Sequence, residues 1–215
     1  MTMLVEAICA GRAASLPDGK RSAIAKSPLE GPVEIGLRGV AGDEQVDRRH
    51  HGFPAMAVHL YPAGHYVWLR DQFGELPTLS GPGSMGENLF VHGIDEATTC
   101  IGDRYGLGTA VIEVSQPRQP CATIERHLGC KGVVKAIVGC GRCGIFLRVV
   151  EPGIAEAGDT LEPVERGALD WPVRRAFHLV YGGGKPDRRE LEELAALPRV
   201  SDRLIHDIRR KHPAA

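Results

Sequence analysis

Short apolar runs, separated by glycine and proline, fill the first three quarters of the chain. Leu4 to Ala10, Pro32 to Leu37, Ala55 to Tyr61, Asn88 to Val91, Ala110 to Ser115 and Ile145 to Val150 are rich in Val, Ile and Phe and are bounded by turn residues. That pattern predicts strands. Strands this short, joined by glycine-bearing turns, predict a closed or nearly closed β-barrel. Two stretches break the pattern. Pro62 to Phe73 begins on a proline and stops before Gly74, as a helix does. Ala122 to Val138 has room for one or two short helices.

From Asp170 the apolar period changes to that of helices. The first is capped by Asp170 and stopped by Gly182–Gly184; the second runs from Asp187 to Leu197 and is closed by Pro198; the third runs from Ser201, its cap, to about Lys211. Leu191, Leu194 and Ala195 make one apolar face, and Leu204, Ile205 and Ile208 another. Helices of this length do not persist alone, so they must pack on something. The expected fold is mainly β with α inserts: a β-barrel domain over residues 1–166 and a small three-helix domain over 167–215.

Composition narrows the function classes. The 215 residues are 43% hydrophobic and 25% charged, with a net charge of -1. That is enough apolar material for a core and gives no bulk attraction to nucleic acid. No apolar run reaches the ~18 to 20 residues that cross a bilayer. Met1 to Glu6 lacks a basic stretch followed by an apolar one, so the expectation is a cytoplasmic protein without a membrane partner. In that reducing compartment the six cysteines are not expected to pair. Residues 167–215 carry ten Lys and Arg against seven Asp and Glu. A mildly basic helical tail of this kind suits an acidic redox partner, or is simply a solvated face.

Five segments hold candidate chemistry. In Val114 to Cys121 two prolines stiffen the end of a strand and Arg118 precedes the thiol by three residues. A guanidinium beside a thiol favours the thiolate, the form that attacks or binds metal. In Gly36 to Gly52, Asp43, Asp47 and His51 recur every four residues, so a hard metal site or a loop stitched by hydrogen bonds are both open. In Ser84 to Gly93, Glu87 and Asn88 sit where a turn enters a strand, able to read a ligand's polar edge. Lys26-Ser27 offers charge plus hydroxyl to a phosphate. Cys140 and Cys143, spaced as C-x2-C, suit zinc together with Cys121, Cys130 or His127, or a redox pair, or plain packing.

Taken in order, GLRGVAGDEQVDRRHHG, HLYPAGHY, MGENL, IGDRYGLGTAVIEVSQPRQPC, GRCGIFLRVVEPG and AGD resemble the MOSC domain, and within it the bacterial YiiM-like group. The resemblance spans roughly residues 3–166, and the helices beyond it are similar to the three-helix domain of that group. It implies a barrel that holds a molybdenum cofactor (molybdopterin) and reduces small N-hydroxylated compounds such as hydroxylaminopurines or amidoximes. It implies Cys121 as the protein ligand to molybdenum, and Lys26, Ser27, Asn88, Glu87, Ser115 and Arg118 as cofactor-binding residues. His51 and Asp47 then join Cys121 as catalytic residues that deliver protons. No flavin or iron–sulfur motif is present, so the expected electron donor is an external flavoprotein reductase. At family level the resemblance also carries pyridoxal phosphate binding. A homodimer fits the exposed tail. The alternative is a carrier that holds the cofactor, or a Cys121 persulfide, without turnover. The segment His51-Gly52-Phe53-Pro54-Ala55-Met56 departs from the group's His-Gly-Gly-Pro-Asp, which makes the pocket rim more apolar.

Overall fold

A computed structural model describes residues 2–16, 18–47 and 52–213. The strands, in chain order, are β1 (Val5–Ala10), β2 (Ala14–Ser15), β3 (Arg21–Ser22), β4 (Ser27–Pro28), β5 (Val33–Gly36), β6 (Gly39–Val40), β7 (Val58–Pro62), β8 (Leu89–Val91), β9 (Arg104–Leu107), β10 (Ala110–Pro117), β11 (Ile145–Glu151), β12 (Gly153–Ala155) and β13 (Glu162–Glu165). The helices are α1 (Gly64–Phe73), α2 (Ala122–Leu128), α3 (Val133–Cys140), α4 (Val173–Tyr181), α5 (Arg188–Ala195) and α6 (Asp202–Lys211).

Eight strands form one sheet in the order β13-β9-β10-β11-β7-β8-β1-β4, curled into a half-barrel. Its concave side is filled by Ile8, Leu60, Leu89, Ile112, Val114 and Leu147, all essentially without solvent contact. The pairing is antiparallel except between β7 and β8. That parallel pair needs the long crossover that α1 and the loop after it supply. The pairing of β10 with β11 slips between Val114 and Gln116, leaving Ser115 as an extra residue. A bulge of this kind re-aims the strand beyond it, and the segment beyond is the one that ends at Cys121.

The structure shifts three expected boundaries. Pro54–Met56 form a short 3-10 turn rather than the start of β7, because Pro54 lacks the N–H a strand would use. Pro62 closes β7, opposite Val91, instead of opening α1. The first C-terminal helix is capped at Pro172 and not at Asp170. Its lead-in is held extended by Trp171 O, which accepts from Ile101 N–H at 3.0 Å, and by Val173 N–H, which donates to Thr99 O at 2.8 Å. Asp187 and Ser201 cap α5 and α6 as expected, each side chain accepting a backbone N–H.

The C-terminal helices bury Phe177, Leu194 and Leu204. They are fastened to the outside of the sheet around Glu113 of β10. This buried carboxylate meets Arg104 at 2.7 Å, Arg199 at 3.4 Å and Arg148 at 3.5 Å. Among the described residues no helix is long and apolar enough to cross a membrane.

Candidate active site

A cavity of about 340 Å³ opens beside the bulged strand, within the size range of small-molecule sites. Its walls come from segments far apart in sequence: the β2–β3 hairpin, the strand end at Lys26, the acidic loop at Glu44 to Asp47, His59, Asn88, Arg118 to Arg126, and Phe146.

Cys121 lines this cavity. It stands at the cap position of α2 in an extended conformation, just after Pro120, and is partly exposed. Three other cysteines are disqualified by burial. It pushes the Cys9 thiol up to about 12, with the Glu87 carboxylate adding to the effect, and it raises the Cys143 and Cys100 thiols as well. These stay protonated and inert. Cys140 and Cys143 do not form a ligand pair: Cys143 is fully buried against Gly144 O while Cys140 turns back to Ile137 O. Among the described residues no group of three or more His, Cys, Asp or Glu is placed to hold a metal ion.

Arg118 is 7% exposed and lines the same cavity. Its Nη2 donates to Met85 O at 3.3 Å, and its Nη1 is buried with no hydrogen-bond partner. A buried cationic donor left open costs several times what a paired one does. The residue lines a cavity, so the guanidinium gives that wall a positive charge suited to an anionic ligand group.

Asn88 is fixed on four sides. Its Oδ1 accepts from His59 N–H at 3.1 Å, and its Nδ2 donates to Cys9 O at 3.1 Å and to Asp43 Oδ2 at 2.9 Å. Its backbone N–H donates to His59 O at 2.7 Å. Asp43, behind the cavity wall, braces Asn88 and Lys26. It accepts from Gly11 N–H at 2.8 Å and pairs with the Lys26 ammonium at 2.5 Å. Burial lowers the Lys26 pKa below its ordinary 10.5, and the adjoining Asp43 charge works against that shift. The expected Lys26-Ser27 phosphate grip therefore does not converge as a pair. Lys26 reaches the cavity and is engaged by Asp43, while Ser27, the next residue on an extended chain, is exposed on the other side.

The same alternation separates Gly86 and Asn88, which line the cavity, from Glu87, which does not. Glu87 is fully buried and accepts from Tyr66 OH at 2.6 Å, Gly83 N–H at 2.8 Å and Met85 N–H at 3.0 Å. It stitches the loop that carries Asn88. That loop packs tightly on its neighbour: Gly83 has a positive φ of 93°, and a side chain there would overlap the Lys26 carbonyl. Ser115 is also structural, its hydroxyl held between Phe146 O at 2.9 Å and Ala55 O. Asp47 lies exposed at the cavity mouth. Residues 41–47 are turns and bends rather than a helix, so Asp43 and Asp47 share no helical face. His51 lies outside the described residues.

The arrangement brings together Cys121, Arg118, Asn88, Lys26 and Asp47, and it leaves Ser27, Glu87 and Ser115 outside. Sequence reasoning offered Asp43 for a hard metal site or a hydrogen-bonded loop, and the structure gives it the hydrogen-bonding role; it passed over His59 entirely. The signal for His59 was its place in HLYPAGHY, where alternation along β7 puts it beside Asn88.

A thiol, a buried guanidinium and a polar floor around one ligand-sized cavity at the edge of a curled sheet define a cofactor- or substrate-binding β-fold. Comparison with known proteins narrows the class. The MOSC domain matches residues 47–162, more than half of the chain, and the chain belongs to the MOSC family. It is 35% identical over 156 residues to protein YiiM of Escherichia coli, covering 73% of this chain and 70% of that one. It is 37% identical over 153 residues to a protein of Gibberella moniliformis named Reductase, covering 71% of this chain but only 27% of that one. In structure it is similar to YiiM from Geobacillus stearothermophilus, with a TM-score of 0.80 at 27% identity over 97% of this chain and 98% of the other. MOSC domains are associated with the molybdenum cofactor at the level of the family. Pyridoxal phosphate binding finds no support in these comparisons.

Proposed function

We propose that this protein is a molybdenum-cofactor-dependent reductase of small N-hydroxylated compounds. The observation that carries the reading is that Cys121 and Arg118, a buried arginine with one guanidinium nitrogen left without a hydrogen-bond partner, line one cavity. The donor set fits the group. A thiolate is the soft ligand that suits such a metal, and a buried guanidinium suits an anionic cofactor group. Family membership and the fungal relative named Reductase support the same reading.

In this reading Cys121 holds the metal, Arg118 holds the cofactor's anionic end, and Asn88, fixed by Asp43, presents a rigid polar edge. When bound, the cofactor supplies the two-electron reduction of the N–O bond. Phe146 and Met56 contribute apolar wall and limit water. Electrons arrive from an external flavoprotein reductase. The match to the fungal protein fits this division of labour, because about three quarters of that protein lies outside it.

The test is metal content. The protein, expressed in a host that makes the cofactor and purified without chelators, should carry near-stoichiometric molybdenum and reduce benzamidoxime. Cys121→Ala should lose at least nine tenths of the metal while melting at the same temperature. Molybdenum and turnover that survive the substitution overturn the proposal. Full cofactor retention with no turnover on any N-hydroxylated compound would favour a carrier.

A further inference from the structure

Arg118 is gripped at two points. Its backbone N–H donates to Gly144 O at 3.0 Å, and its Nη2 donates to Met85 O at 3.3 Å. Each grip leads back to a buried carboxyl. Gly144 N–H donates to Glu96 Oε1 at 2.6 Å. Met85 N–H donates to Glu87 Oε2 at 3.0 Å. Both carboxyl residues are 0% exposed, and so is Met85.

The two carboxyls end on neighbouring residues. Glu96 Oε2 pairs with His65 Nε2 at 2.7 Å, and Glu87 Oε1 accepts from Tyr66 OH at 2.6 Å. His65 and Tyr66 lie in the first turn of α1 and are buried. Both rings pack edge-on against Tyr61, and that of Tyr66 also against Phe90. The start of α1 is tied to β8 by Ala63 N–H, which donates to Val91 O at 2.9 Å. From the other side, Arg174 N–H of α4 donates to Glu96 O at 2.8 Å. One turn of helix therefore anchors both grips on Arg118.

Stability alone does not account for this arrangement. Apolar residues of equal volume often stabilise a core as well as buried ionic pairs do. What hydrogen-bonded carboxyls add is fixed geometry. A ligand-holding group has to be kept within about 0.5 Å of its working position by the contacts behind it. His65 and Tyr66 of HLYPAGHY, and Glu87 of MGENL, do not line the cavity, and this support gives them a part in it.

We infer that Glu96 and Glu87, held by His65 and Tyr66, are positioning residues that set where Arg118 stands in the cavity wall. The inference rests on the reading of Arg118 as the residue that holds the cofactor's anionic end. Glu96 fixes the Arg118 backbone through Gly144, and Glu87 fixes the guanidinium through Met85. Asn88 keeps its own contacts to His59, Cys9 and Asp43, so a loosened Met85 acts on Arg118 first.

The experiment is a double-mutant cycle read as molybdenum retained per chain after dialysis. Glu96→Leu keeps the volume but not the acceptor, and should lower retention about tenfold, the usual cost of a lost supporting contact. Glu96→Gln keeps an acceptor for Gly144 N–H and should stay within about threefold of wild type. Tyr66→Phe deletes one hydroxyl and should lower retention about fivefold, the weight of one hydrogen bond. In an Arg118→Leu background none of the three should lower it further. Equal losses in both backgrounds overturn the inference, and so does wild-type retention in Glu96→Leu and Tyr66→Phe. A fall of about 10²-fold in benzamidoxime turnover per bound molybdenum would place a carboxyl in the chemistry and overturn it too. Should Glu96→Leu not fold, Tyr66→Phe carries the cycle alone. A wild type that carries no molybdenum fails the reading beneath instead, and hydrogen exchange of the metal-free protein then decides. The Gly144 and Arg118 amides should exchange at least about tenfold faster in Glu96→Leu while the β7–β11 pairing keeps its protection. Unchanged exchange at those two amides overturns the inference.

Discussion

Arg118 and Arg199 are both tied to the β10 segment, and they live in opposite surroundings. Arg199 lies between two carboxylates, Glu113 and Glu165, and also donates to Gly102 O at 3.0 Å. Arg118 lines a cavity and has one carbonyl partner, no carboxylate among the described residues, and a buried nitrogen without a hydrogen-bond partner. The first environment spends the charge on joining the helices to the sheet. The second leaves it available. The difference separates a cation that holds the fold from one that awaits a ligand, and it does so where residue type and sequence neighbourhood do not.

Substitutions sharpen this contrast. The largest effect on stability should come from Glu113→Ala, which removes the buried carboxylate that three arginines share. About 3 kcal/mol should be lost in urea unfolding, the low end for a broken buried pair because the arginines are partly exposed. An unchanged urea midpoint would mean the cluster is ornamental.

Glu87→Gln comes next and reads out against pH. Burial raises the Glu87 pKa above its ordinary 4.5, more than Tyr66 and the backbone N–H donors lower it. The folded protein therefore keeps a proton that the unfolded chain has released. That contribution is fully present below pH 4.5 and is lost as pH rises through the raised value, by up to about 1.4 kcal/mol per pH unit. The stability difference between wild type and variant should fall along that slope. A difference that stays flat across the acid range refutes it.

The smallest stability change should belong to Arg118→Leu, under about 1 kcal/mol by urea unfolding, since it deletes a donor that has no partner. Molybdenum per chain should nevertheless drop at least tenfold. A variant that unfolds readily but binds metal normally would reverse the comparison.

Much of the fold was legible. Six strand runs and the Asp187 and Ser201 caps follow from local rules, while residues 122–138 read equally as one helix or two and the short strands between the six runs went unread. What failed locally was decided at a distance. Asp170 lost its cap role because the chain around Trp171 hydrogen-bonds to residues 99 and 101. Of the candidate site residues, Cys121, Arg118 and Asn88 line the cavity because stiff or strand-bound segments present them. Ser27 and Glu87 do not line it, because facing depends on single-residue alternation, which motifs blur. The partners of Asp43 and the place of His59 were hidden because they lie in contacts with Gly11, Lys26, Asn88 and Gly144, which sequence spacing does not encode.

The cavity walls span residues 16 to 146. This has a consequence for synthesis. On a nascent chain, Cys121 leaves the ribosome before Phe146 and the rest of β11, so the thiol is delivered before its enclosure exists. Non-local pairings such as β7 with β11 form slowly compared with local ones. The protein therefore passes through a stage in which a bare thiol and an unfilled sheet face are open to the cell. How fast β11 closes sets how long the cysteine must survive unprotected.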